Sequence, residues 1–291
     1  MTSVADLAQR ILPDPIADSL QLEAARLAAM PEFPQAVRAY MVGAAQFRES
    51  PRIVNKLVSY DTRWRVIGYL LYLALDRETY GPQGGATYGR VLDLCTRRNE
   101  VSPRVLKTVL ALLQLSGFIE ATRNATDRRS KFYRPTARMM TFVHRWLTYA
   151  TTTLDVLEPH MQRAAMLRDD PQFAARFLVS GGRSHTSETP PADLMPEFIA
   201  FLGGRDGAGA VVLAMLTADL DSVATPSRAD IARRFGLSKT QVSNSLREGE
   251  RLGWVAFDRD GMPVPTQVLR DKYRQWIAIE LAFYARHMAP A

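Results

Sequence analysis

The chain has 291 residues, with 37 Lys and Arg against 30 Asp and Glu and a net charge of +7. That length suits about two domains, and 47% hydrophobic residues can build a sizeable core without staples. A single cysteine, Cys95, excludes an internal disulfide framework and any multi-cysteine zinc site.

Residues 1–60 read as short helices broken by Pro13, Pro15, Pro31, Pro34 and Pro51, because proline lacks a backbone donor and fixes φ. Trp64 to Leu75 has an apolar helical pattern, and Thr79 to Gly89 is a glycine-rich loop. Helices follow over Arg90–Arg98 and Ser102–Gln114, the second closed by Ser116-Gly117. Phe118 to Pro135 reads as two short strands around a charged turn. Helix resumes from Thr136 to about Arg168, with a break at Pro159. Ser180 to Asp193 has linker composition and is the expected domain boundary, and Gly203 to Gly209 is a second break. Helices over Ala210–Leu220, Ser227–Phe235 and Ser238–Arg251, a tight hairpin at Asp260-Gly261, and a helix over Thr266–His287 complete the chain.

This order of elements occurs twice. At an offset of 136, Ser102 falls on Ser238, Leu106 on Val242, Leu110 on Leu246, Gly117 on Gly253 and Phe118 on Trp254. After the hairpins the offset is 130, with Pro135 on Pro265, Thr136 on Thr266 and Trp146 on Trp276. The first hairpin is thus six residues longer, and the shared order with matched landmarks points to duplication.

In the second copy, small Ala232 lets two helices cross closely, and Gly236 can supply a turn with φ > 0. Ser238 can cap the next helix, whose Val242 and Leu246 face the core. Lys239, Thr240, Gln241, Ser243, Asn244 and Arg247 are left for an exposed face, where such side chains bond phosphates or base edges. A helical hairpin that docks a protein is the competing explanation. The following Trp254-Val255-Ala256-Phe257, Asp258-Arg259-Asp260-Gly261 and Pro263-Val264-Pro265 form a small β-hairpin. Together these residues resemble winged helix-turn-helix transcription regulators, whose recognition helix enters the major groove beside a β-wing.

The first copy has Glu100 where the second has Gly236, so its turn is expected to be built differently. Ser102-Pro103-Arg104 is a good helix start, and Arg104, Lys107 and Thr108 lie off the apolar stripe. Leu115-Ser116-Gly117-Phe118-Ile119 and Asp127-Arg128-Arg129-Ser130-Lys131, ending at Thr136, resemble the MarR-type wing. That resemblance implies that Arg128 or Arg129 contacts the minor groove or phosphate, with Asp127 orienting it. A solvated charged turn is the plain alternative. Arg123 and Lys131 flank the same tip. The second hairpin lacks the motif, so contact there is expected to be weak or absent. MarR proteins usually carry one winged helix and dimerise. This chain carries two and is expected to act as its own pseudo-dimer, with a homodimer of whole chains left open.

The charge follows the repeat. Residues 87–140 carry +7 and 225–277 carry +4, whereas 1–86 are neutral and 141–224 carry −4. This is the electrostatic footprint of a nucleic-acid partner. A membrane-surface reading fits poorly, because the basic residues are not gathered on one amphipathic helix.

No catalytic or cofactor motif is evident. His144, His160, His185 and His287 form no metal pair, and the glycine runs lack the Gly-Lys-Ser/Thr of a phosphate loop. Cys95 matches Ile231 and reads as a core thiol. Trp64, Tyr69, Tyr72, Phe142, Trp146 and Tyr149 read first as core; the MarR resemblance implies in addition a site for a small aromatic effector. The lone cysteine, the absence of an apolar signal core in residues 1–12 and the absence of a ~20-residue apolar run lead to an expected cytoplasmic, nucleoid-associated location.

The expected fold is mainly α with small β-wings, a duplicated winged helix-turn-helix plus connecting helices. Its parts are an N-terminal helical segment (1–60), a first winged-helix domain (61–150), a helical connector and linker (151–205), and a second winged-helix domain with a C-terminal helix (206–291). The expected function is a non-enzymatic, cofactor-free regulator that binds double-stranded DNA at a non-palindromic site. Tandem winged helices also occur in plasmid replication initiators, so that reading and a protein-interaction module stand as alternatives.

Overall fold

The computed structural model describes residues 15–49, 61–97, 101–123, 131–204 and 207–289. Among the described residues the structure is mainly helical, with two small two-stranded sheets. Two N-terminal helices, α1 (Pro15–Ala28) and α2 (Phe33–Arg48), are split at Pro31 as the proline pattern requires. Then come α3 (Asp61–Leu75), the short α4 (Arg77–Tyr80), α5 (Tyr88–Arg97) and α6 (Pro103–Leu115). The antiparallel hairpin β1 (Ile119–Arg123) and β2 (Lys131–Pro135) leads into the long α7 (Ala137–Leu157). The middle of the chain holds α8 (Arg163–Asp169), α9 (Phe173–Ser187) and α10 (Pro196–Gly204). Last come α11 (Ala208–Leu220), α12 (Arg228–Phe235), α13 (Lys239–Arg251), the hairpin β3 (Val255–Phe257) and β4 (Pro263–Pro265), and α14 (Gln267–His287).

The two stretches that align in sequence share their local chemistry. Gly117 and Gly253 adopt φ of 70° and 72°, a left-handed conformation that costs other residues energy. The Thr136 hydroxyl donates to the Gly117 carbonyl at 2.7 Å, and the Thr266 hydroxyl to that of Gly253 at 2.9 Å. Each threonine also caps the following long helix, accepting from Met139 N and Leu269 N, both at 3.3 Å. Phe118 and Trp254, the next residues in the two copies, are both buried. Gly236 closes α12 with φ of 66°, as its place in the turn required. Residues 98–100, with the turn of the first copy, lie outside the described residues.

The N-terminal segment is built into the body. α1 packs along α14, and α2 packs along α7 and against α11. Gly43 makes the α2–α7 crossing close: a Cβ there would stand 2.3 Å from Tyr149 Cβ. Gly43→Ala is expected to cost about 1–3 kcal/mol by overpacking, seen as a lower midpoint in urea with an unchanged slope. A midpoint within error of wild type would mean that the crossing relaxes freely.

The expected linker at 180–193 is corrected by the structure over its first eight residues: α9 continues to Ser187 and packs on α3 and α14, and an irregular segment follows. Its glycines serve close packing rather than flexibility, since a Cβ on Gly182 would meet Tyr72 Cβ at 2.5 Å. Arg183 bonds the buried Asp76 carboxylate at 2.8 Å and 3.1 Å, and this pairing helps hold that carboxyl below its usual range despite burial. Helix α11, with Val211–Leu216 buried on all sides, touches α2, α10, α12, α13 and β4. Its uniform hydropathy is that of a core helix. Among the described residues no single helix is long and apolar enough to cross a membrane.

Candidate nucleic-acid interface

Helix α6 starts where Ser102 Oγ accepts from Val105 N at 3.4 Å. Leu106, Val109, Leu110 and Leu113 turn inward, which leaves Arg104, Lys107 and Thr108 exposed. The Thr108 hydroxyl donates to the Arg104 carbonyl at 3.0 Å, so towards a ligand it has only acceptor capacity. Lys107 Nζ stands 5.9 Å from the centre of the Tyr88 ring. Strand β2 extends the site on its other side, with Tyr133 N donating to the Ala86 carbonyl at 2.8 Å.

The hairpin places Arg123 directly opposite Lys131, both exposed. Facing like charges oppose strand pairing, so this position favours an anion over a bare hairpin. Asp127, Arg128 and Arg129, the expected wing tip, lie outside the described residues.

Helix α13 carries the matching set in a different state. Ser238 Oγ accepts from Gln241 N at 3.1 Å, and Gln241 Oε1 accepts from Ser238 N at 2.7 Å. This reciprocal capping box gives both side chains a structural task at the helix start. Lys239 and Thr240 are exposed, Ser243 and Asn244 are half-buried, and Arg247 donates to Asn244 Oδ1 at 2.6 Å. In the second hairpin the Asp258 carboxylate accepts from Asp260 N and Met262 N, at 3.0 Å and 2.8 Å, so that acid builds the turn around Arg259.

The two halves differ in how their cations are balanced. In the first, among the described residues, Arg104, Lys107, Arg123 and Lys131 have no carboxylate within ion-pair distance, while Arg97 is paired with Asp93 at 2.6 Å. In the second, Arg233 pairs with Asp230, Arg234 with Glu49, Arg251 with Glu248 and Arg270 with Asp219. Linear charge counts miss this. Among the described residues those four cations of the first unit stand uncompensated, whereas four arginines of the second are paired with carboxylates.

The aromatic residues expected to gather do so only in part. Two cavities of 150 and 180 Å³ lie where α2, α3, α7, α9, α10 and α14 meet, and Trp64 and Trp146 line both. Tyr149 lines the first and Tyr69 the second, whereas Phe142 packs against Phe47, Trp64 and Phe118. Trp276, Glu280 and Tyr284, from the last helix, line both cavities. None of the three is marked by a local sequence motif, and only the alignment of Trp276 with Trp146 hints at one of them. His287 sits nearby, with Nδ1 2.8 Å from Ser180 Oγ, and burial pushes its pKa down to about 4. Cys95 is buried, and among the described residues no group of three or more His, Cys, Asp or Glu is placed to hold a metal ion. Comparison with known proteins gives no match to a family model, to a curated protein or to a solved structure.

Proposed function

We propose that this chain is a transcription regulator that binds double-stranded DNA through two winged-helix units arranged as an intrachain pseudo-dimer. The observation that carries this reading is the set of uncompensated cations on α6 and its hairpin: Arg104, Lys107, Arg123 and Lys131. In this reading α6 lies in the major groove, Arg104 and Lys107 reach phosphate or guanine, and Thr108 accepts from a base or contacts a thymine methyl. Arg123 and Lys131 grip backbone beside the groove, and the resemblance assigns the minor-groove contact to Arg128 or Arg129. On α13, Lys239, Thr240, Asn244 and Arg247 supply the second contact, while Ser238 and Gln241 hold the helix start and offer the backbone rather than free side chains. Because the two helices present different residues, one chain reads a site without two-fold symmetry.

Fluorescence anisotropy on genomic fragments selected by binding tests this. With at least four phosphates neutralised, the affinity is expected to fall about 10²-fold between roughly 50 and 200 mM salt. A flat response would defeat the reading. Enrichment of promoter segments supports a regulator, whereas clustered repeats at an origin would transfer the same surface to replication initiation.

A further inference from the structure

Glu280 lies in the middle of α14, in a helix face otherwise packed into the core, and it lines both central cavities. Tyr40, from α2, donates a hydrogen bond to its Oε2. Tyr284, one turn further along α14, bonds it as well and in turn accepts from Trp146 Nε1 at 3.3 Å. These contacts are to neutral groups. Arg48 lines one cavity, and Arg65 and His185 line the other. Among the described residues none of them, nor any lysine, lies within ion-pair distance of the carboxyl; its state is governed by burial and by Tyr284. Glu280 is half-buried by accessible surface, and a carboxyl largely withdrawn from water without a counter-cation is costly as an anion.

Around this group stand three indoles. Trp64 and Trp146 meet edge to face, with ring centres 4.8 Å apart, and Trp276 comes from the same helix as Glu280. All three are only half-buried, because part of each faces the cavities. Indole faces attract cations more strongly than other aromatic rings do. A carboxyl without a counter-cation and three indole rings therefore line the same two cavities.

We propose that the cavities at the junction of the two halves form a binding site for an organic ammonium ion with an aromatic or apolar body, with Glu280 as its counter-ion. The ammonium group sits against Glu280 and the tryptophan faces, and its body fills the apolar remainder towards Ile199 and Phe177. Burial pushes the Glu280 pKa up to about 8. Binding of a cation ionises the carboxyl and releases its proton to the solvent, so binding strengthens as pH rises towards that value. The site does not depend on the DNA reading, and its test uses no DNA.

Benzyltrimethylammonium serves as probe, with benzyl alcohol and benzoate as its neutral and anionic counterparts. Titration of the full chain, followed by tryptophan fluorescence and by calorimetry in two buffers of different ionisation enthalpy, reads affinity and proton release. The ammonium ion is expected to bind at least about tenfold more tightly than benzyl alcohol, with close to one proton released at about pH 6.5. Glu280→Gln is expected to lose that preference and the proton release while keeping its helical circular dichroism. Benzoate binding more tightly than the ammonium ion, absence of binding at millimolar probe, or an unchanged preference in Glu280→Gln would each overturn the proposal. The comparison of the three probes on the unaltered chain stands even if the variant fails to fold.

Discussion

Glu280→Gln is expected to raise the unfolding free energy by about 2–4 kcal/mol near pH 9 and to change it little near pH 5. In the folded chain burial pushes the Glu280 pKa up to about 8, from an ordinary value of 4.5. Between those values the folded protein holds the proton more tightly than the unfolded chain does, so stability falls as pH rises through the window and levels off above it. Below about pH 4.5 both states are protonated and the carboxyl has no effect. Glutamine keeps the shape and accepts from Tyr40 and Tyr284, but carries no charge to desolvate. His287 acts on the acid side. Its pKa is pushed down to about 4, so the folded state favours the neutral imidazole and stability is lost as pH falls from about 6.5 towards that value. Urea unfolding at several pH values separates the two groups. A variant that parallels wild type from about pH 5 to 9 would mean that Glu280 is solvated and ionised in the native state.

The second large effect concerns the balance between the halves. The combined Arg104→Ala, Lys107→Ala and Lys131→Ala variant is expected to weaken DNA binding about 10²-fold near 150 mM salt and to reduce the salt slope by about 3. All three side chains are exposed and none is held by a carboxylate, so their removal leaves the core untouched. Lys239→Ala with Arg247→Ala is expected to cost about tenfold, with a slope change near 1. Arg247 already gives a hydrogen bond to Asn244, and neighbouring arginines on that side are paired. Net charge alone would rank the two segments by +7 against +4; ion pairing widens the gap. A larger loss from the α13 variant, or a loss from α6 without a change of slope, would contradict this division of labour.

Local signals located most of the elements. Proline at 31 and 159, capping serines at 102 and 238, and glycine at 117, 236 and 253 act within a few residues, through fixed φ, a side-chain acceptor or a permitted left-handed turn. The stretch 180–193 misled because its Gly-Gly-Arg-Ser composition is equally that of a flexible linker. What makes it a helix is the Tyr72 side chain against Gly182 and the Asp76 carboxylate on Arg183, both more than a hundred residues away. Gln241 looked like a free polar residue because helical spacing shows which face a residue occupies and not whether its hydrogen bonds are already spent. The capping box spends them.

The net charge of +7 was resolved into two basic repeats by sequence position, since charge and periodicity are properties of the residues themselves. Which of those charges stays available was decided by tertiary contacts: Arg234 meets Glu49 from α2, and Arg270 meets Asp219 from α11. The same holds at the centre. The sequence by itself aligned Trp146 with Trp276. Only the packing of α2, α7 and α14 brought them to shared cavities and set Glu280 between them without a counter-ion, because a partner's absence depends on everything that surrounds a group.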